Sequence, residues 1–337
     1  MKTYYFLLIS LLSFSCTDLL FEEEPTNDPV GNFESLWHTF HTRYAVFEQR
    51  QVDWQELYAQ YRPLVNDQTS DQELFDIITA MLAHLDDAHV SLMADGQPFW
   101  RGFREFRERT KDSLFNLWMI PNNYVAGNFV NVNDQFFYGK IQGDIGYLFV
   151  RHLSDDPAGF IDPFIAEMQD MEGMVIDLRH NGGGDFTNGK LIASRFASQR
   201  TLAFSGQPKN GPGPNDYAHT TEYYLEPDGP IRFTKPVIVL TDIYTVSAGE
   251  NLVLYLREQP HVTVIGDRTT GAMGERIEKE MPNGWVYSIT GQIMTAADGN
   301  IYEGPGIPPD VFLLNTGAEM EQGIDRTLER AIEKIRE

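Results

Sequence analysis

Apolar positions change their spacing along the chain, and the change divides it. Over residues 31–92 they recur at three- and four-residue intervals: Phe33, Leu36, Trp37, Phe40 and Tyr44, then Leu74, Ile77, Ile78, Met81, Leu82 and Leu85. That period predicts a small helical bundle ending in the segment LDDAHVSL, residues 85–92. From residue 144 onward, short unbroken apolar runs alternate with amphipathic stretches. Strands are predicted at Ile145–Val150, 173–178, 236–241 and Val262–Gly266, and helices at 157–171, 187–198 and 247–257. Alternation of this kind, with strands lacking polar positions, predicts an α/β core over 144–337. Residues 93–143 form a mixed connecting segment in which Gly96, Pro98, Pro121 and Gly127 interrupt short aromatic strands. A Gly-, Pro- and Asn-rich surface loop is expected at 206–217, β structure at 285–295, a turn at Asp298-Gly299 and a terminal amphipathic helix at 320–336.

The start of the chain has a different character. Met1 and Lys2 precede an apolar run over 4–12, followed by Ser13, Phe14, Ser15 and Cys16. A cationic start, an apolar stretch too short to span a bilayer and small residues before a cysteine predict a signal peptide over 1–15. Cys16 is then the candidate lipidation site, and 16–30, with Glu22, Glu23, Glu24, Pro25 and Pro29, an acidic tether. Leu12 lies one residue further from the cysteine than in the usual lipoprotein box, so cleavage elsewhere or a buried N-terminal strand remain alternatives. The expectation is an exported, lipid-anchored protein of the cell envelope, in periplasm or outer membrane.

Charge and cysteine count narrow the functions. The 337 residues carry 26 Lys+Arg against 49 Asp+Glu, a net charge of −23. Such a chain repels phosphate backbones, and its densest cationic stretch, 101–111, is interleaved with Glu105 and Glu108, so nucleic acid is excluded as a partner. Cys16 is the single cysteine, which rules out a disulfide framework and cysteine-based zinc sites. Nothing suggests a metal or organic cofactor.

Two strand ends could carry chemistry. IDLRHNGGG, 176–184, runs from a buried strand into three glycines, where bare amides can face an anion or oxyanion. LTDIYTVSAGEN, 240–251, places Ser247 at the start of a helix. With Glu250 three residues on, Ser247 reads as an N-cap in a capping box; a nucleophile aided by the helix dipole is the functional alternative. Of eight histidines, His180 flanks the glycine turn and His89 lies beside Asp86 and Asp87; spacing does not choose between them as a base.

Taken in order, LDDAHVSL, VIDLRHNGGG, VSAGENLV, VIGDRTTGAMG and YEGPGIPPDV resemble the tail-specific, or C-terminal processing, serine peptidases over about residues 31–335. The resemblance implies a crotonase-like α/β core with an N-terminal helical subdomain, acting on peptide or protein substrates. It implies Ser247 as nucleophile, with the amides of Ala248 and of Gly183 (or Gly182) as oxyanion hole. One branch of the family takes its base from a lysine in a Gly-Lys-Gly segment; here Ala272 stands there, Arg268 stays protonated, and Lys279 is displaced. The other branch, like the tricorn core peptidase, is matched by His89 as base and Glu303 as its acid, with Ala88 where that pattern has a serine. His180 and Asn181 are expected on the substrate cleft. Residues 93–143 are too few for the PDZ domain that many relatives carry. A histidine base predicts activity that falls as pH drops through about 6.5. The fold is also similar to the retinoid-binding protein of the retina, so a non-catalytic module for hydrophobic ligands or peptides is the alternative, and a structural envelope lipoprotein a third.

Overall fold

The computed structural model describes residues 25–102 and 114–337. The expected signal segment and Cys16 lie outside the described residues. Helices α1 (Pro29–Arg43), α2 (Trp54–Tyr61) and α3 (Asp71–Leu82) come first. Each starts on a side chain suited to it: Asp28 accepts from the Gly31 amide (2.8 Å), Asp53 from that of Glu56 (3.0 Å), and Ser70 and Glu73 form a reciprocal capping box. Their apolar faces bury Phe33, Leu36, Phe40, Leu74, Ile78 and Met81 in one cluster, which also takes in Tyr287 and Ile289 from near the other end of the chain.

The chain continues through β1 (Ser91–Met93), β2 (Trp100–Arg101), α4 (Met119–Asn123), β3 (Val125–Asn131), β4 (Phe136–Ile141) and β5 (Ile145–Val150). Then come α5 (Ala158–Met168), β6 (Gly173–Asp177), α6 (Phe186–Ser194), β7 (Thr201–Pro208), β8 (Thr221–Leu225) and β9 (Val237–Thr241). The remainder is α7 (Ala248–Arg257), β10 (Val262–Gly266), β11 (Arg276–Glu280), β12 (Val286–Thr290), β13 (Gln292–Ala296), β14 (Val311–Phe312), α8 (Gly317–Glu321) and α9 (Arg326–Ile335).

The main sheet has the order β14-β10-β9-β6-β5-β4-β3, parallel from β14 to β5 and antiparallel beyond. Its central strands β5, β6 and β9 are buried at every position because both faces are covered. Leu148, Met174, Ile176, Val237 and Val239 pack toward residues of α5, α6 and α7, whereas Tyr147, Phe149, Val175, Ile238 and Leu240 pack with Leu328, Ile332 and Ile335 of α9. Adjacent parallel strands end side by side: β6 and β9 pair in register through Asp177 and Leu240. The glycine turn after β6 and the serine turn after β9 therefore emerge next to each other, at the carboxyl edge where α/β sheets bind ligands.

A four-stranded antiparallel sheet, β11-β12-β1-β2, joins the early helical part to the later chain, with Ser91 opposite Ser288. The third sheet is β13-β7-β8. Some expected boundaries shift. The β structure at 285–295 is two strands in different sheets, since β12 pairs with β1 and β13 with β7. Residues 206–208 belong to β7 rather than to the loop, and the terminal helix is broken by Gly323 into α8 and α9, the latter capped by Asp325.

Candidate active site

Ser247 sits in the turn between β9 and α7 with φ 57° and ψ −121°, a left-handed backbone that costs a non-glycine residue about 1–3 kcal/mol. Buried contacts hold it there. The Ser247 amide donates to Glu250 Oε2 (3.0 Å), and the same carboxylate accepts from the amides of Gly271 (2.7 Å) and Ala272 (2.9 Å) and from Thr269 Oγ1 (2.6 Å). Burial pushes the Glu250 carboxyl up, and these donors pull it back. Glu250 is thus more than a helix cap: it ties the serine turn to the 269–272 segment. From the other side the Val246 amide donates to the Asn181 carbonyl (3.0 Å).

The glycine turn lies directly against the serine. A Cβ on Gly183 would come 2.9 Å from Ser247 Cβ and 3.4 Å from its Oγ, and one on Gly182 would overlap the His152 ring, 2.3 Å from Cε1. Of the expected oxyanion donors, the amides of Gly183 and Gly182 are engaged within the chain. Gly183 donates to Asn181 Oδ1 (2.9 Å) and Gly182 to the Arg151 carbonyl (3.0 Å). Among the described residues the amides of Gly184 and Ala248 make no hydrogen bond, and both residues line a cavity of about 330 Å3 with Ser247. Asn181 is not a cleft residue: it is fully buried, its Nδ2 donating to the Val150 carbonyl (2.7 Å). His180 lines neither cavity at Ser247. Its ring faces Asp242 (3.4 Å) and packs edge-on against Phe115 and Tyr244.

His89 is brought to the serine. With Ala88, Gly182, Val246 and Arg276, both line a second cavity of about 280 Å3. The histidine is placed by its backbone: its amide donates to Asp87 Oδ1 (2.8 Å), and its carbonyl accepts from Ser288 Oγ (2.6 Å), which contacts Ser91 Oγ (2.7 Å). Nδ1 is buried with no partner among the described residues. Burial lowers the ring's pKa to about 4; Asp87 and the Gly274 carbonyl oppose this, while Arg276 and Arg50 add to it. The ring is therefore neutral at pH 7, as an acceptor of a hydroxyl proton must be.

Glu303 does not complete a triad by direct contact. Its fully buried carboxylate accepts from the amides of Met273 (3.0 Å) and Gly274 (3.0 Å) and from Arg50 (3.3 Å). Burial and the Asp87 charge push it above the usual carboxylate range, against the pull of Arg50. Its reach to His89 is indirect, through Gly274. Glu250 and Glu303 together bind four successive amides, 271 to 274, so Ala272, where the other branch has lysine, lies on a clamped backbone. Lys279 is exposed on β11, opposite Tyr287.

Sequence reasoning missed Arg50, which bonds the Asp86 and Gly271 carbonyls as well as Glu303 and lies 3.6 Å from Asp87. Asp87, placed beside His89 in the sequence, has no assigned role there; it accepts from Tyr44 Oη (2.8 Å) and Thr290 Oγ1 (2.7 Å). No local pattern marks Arg50 or the side-chain partners of Asp87, because they are distant in the chain.

Residues 144–313 match peptidase family S41, and residues 25–83 match the tricorn protease C1 domain. The carboxy-terminal processing protease CtpA of Bacillus subtilis is 27% identical over 170 residues, which are 50% of this chain and 34% of that relative. This chain thus spans about a third of that relative's length. Among solved structures, a candidate peptidase of Parabacteroides merdae has a TM-score of 0.84 at 31% identity, covering 92% of this chain and 97% of that one. The tricorn protease shares the fold, with a TM-score of 0.56 at 15% identity over 92% of this chain and 37% of its own. The match that begins at β5 and runs through the glycine turn, the Ser247 turn and Glu303 places this chain in peptidase family S41.

Proposed function

We propose that this chain is a serine-type peptidase in which Ser247 attacks the scissile carbonyl and His89 is the general base. The Ser247 hydroxyl proton passes to His89 as Oγ bonds to the carbonyl carbon. The amides of Ala248 and Gly184 take the negative charge that develops on oxygen. His89 then returns the proton to the leaving amine, and water releases the acyl group by the same steps in reverse roles. Glu303 serves by fixing Gly274 beside the imidazole. The observation that carries this reading is the place of Ser247, strained at the head of α7, between a cavity lined by His89 and one lined by two uncommitted amides.

The family and its carboxy-terminal processing relatives support peptide or protein substrates, cut internally or near the carboxyl terminus. We read the core from 144 onward as crotonase-like, 31–92 as a helical subdomain and 93–143 as a connector. Cys16 would hold the protein in the cell envelope by lipid, after removal of 1–15.

A fluorophosphonate probe and an unfolded peptide test the reading together. Ser247 is labelled, and Ser247→Ala and His89→Ala each abolish turnover, the double variant being scarcely worse than either. Lys279→Ala keeps wild-type activity. Absence of labelling in the folded protein refutes the proposal and leaves the ligand-binding alternative.

A further inference from the structure

The cavity that Ser247 shares with Gly184 and Ala248 holds a polar group that the chemistry above leaves unused. Phe186, Phe204, Tyr223, Met273 and Met294 give it aromatic and thioether walls, and Glu275, Arg276 and Gln292 add polar lining. Among them stands Asn251, one turn along α7 from the serine. Asn251 is 8% exposed, and its Oδ1 is buried without a hydrogen-bond partner among the described residues. Buried polar groups in folded proteins are nearly always paired, so an orphaned amide in a cavity wall beside a nucleophile calls for a partner that arrives with the ligand.

Which part of the substrate enters follows from the place of the base. A general base that later protonates the leaving amine stands on the leaving-group side, so the His89 cavity receives residues after the scissile bond. The cavity with the free amides receives the acyl side. Its volume of about 330 Å3 is at the lower end of small-ligand pockets, room for one large side chain. Aromatic and methionine walls favour a ring. A phenolic hydroxyl can donate to an amide oxygen and accept from an amide nitrogen, so it satisfies Asn251 in either orientation.

We propose that Asn251 is a specificity-determining residue that makes this pocket select tyrosine at the position immediately before the scissile bond. The inference rests on the peptidase reading. Peptides identical except for Tyr, Phe or Leu at one position are compared by kcat/KM and by mapping the cut, with fluorophosphonate labelling of Ser247 measured in parallel. Cleavage follows tyrosine, with kcat/KM about fivefold to tenfold above phenylalanine, the worth of one neutral hydrogen bond. In Asn251→Leu the ratio falls to about one. If wild type is labelled and cuts after Tyr and Phe equally, as it would with a resident water satisfying the amide, or prefers Leu, the proposal is overturned and the peptidase reading stands. The wild-type ratio decides even if the variant fails to fold. If wild type is neither labelled nor active, both fall.

Discussion

Adding one methyl group at Gly183 tests how closely the glycine turn positions Ser247. Gly183 has φ 86°, so alanine there is strained by about 1–2 kcal/mol whatever surrounds it. Gly143, in the turn between β4 and β5, has the same φ of 86° with nothing within 4 Å of an added Cβ. Gly143→Ala therefore measures the backbone cost alone. At Gly183 the new carbon would lie 2.9 Å from Ser247 Cβ, where carbons ordinarily approach to about 3.5–4.0 Å. Relief demands a shift of at least about 0.6 Å by the serine turn or the glycine turn, and misplacement on the order of 1 Å costs about a hundredfold in rate. We expect Gly183→Ala to lose at least as much stability as Gly143→Ala by urea unfolding. Only Gly183→Ala should lose kcat, by about thirtyfold to a hundredfold, on a fluorogenic peptide. A Gly183→Ala enzyme within threefold of Gly143→Ala would refute the contact argument.

Three further outcomes follow from the site, and a fourth from the start of the chain. Because His89 titrates near 4, kcat/KM should stay level from pH 7 through 6.5 and fall only toward about 4; a midpoint at 6.5 would show a solvated base. The same depression makes His89 a source of acid lability: its full contribution to stability holds above the unfolded value of about 6.5 and is lost as pH falls toward 4, a loss that His89→Gln should lessen in thermal melts. Arg50→Met leaves Asp87 and Glu303 as uncompensated buried carboxylates and should cost about 3–5 kcal/mol in urea unfolding, part of which Arg50→Met/Glu303→Gln restores. Cys16→Ala should move the protein from the membrane to the soluble fraction; equal retention by both forms would reject the lipid anchor.

How much of this was legible differs by element. Strands β5, β6, β9 and β10 announce themselves because each is buried on both faces, and Ser247 is found because a strand end, small residues and a capping glutamate leave a local trace. The fate of the glycine amides left none. That Gly183 donates to Asn181 and not to the cavity depends on how the Asn181 side chain turns within its own loop, and spacing is blind to that. The contacts of Glu303 are hidden for a related reason. Glu303 follows the family pattern in sequence, yet its oxygens are taken by two amides and by Arg50, a residue 253 positions away. The shift of His89 from the ordinary histidine range is likewise a product of burial, which the segment LDDAHVSL does not reveal.

The antiparallel pairing of β1 with β12 also sets the order in which the molecule can acquire activity. Ser91 meets Ser288 across 197 positions, and the early helices complete their apolar cluster with Tyr287 and Ile289. A chain synthesised or exported from its amino end displays the histidine segment long before the strand that seats it exists. Closing so long a loop adds little to the equilibrium cost, since each doubling of length adds only about 0.6 kcal/mol, but contacts of high sequence separation form late and slowly. In synthesis from the amino end, the candidate site is therefore incomplete until β12 has emerged. A nascent chain that ends before β12 lacks the Ser288 hydroxyl that holds the His89 carbonyl.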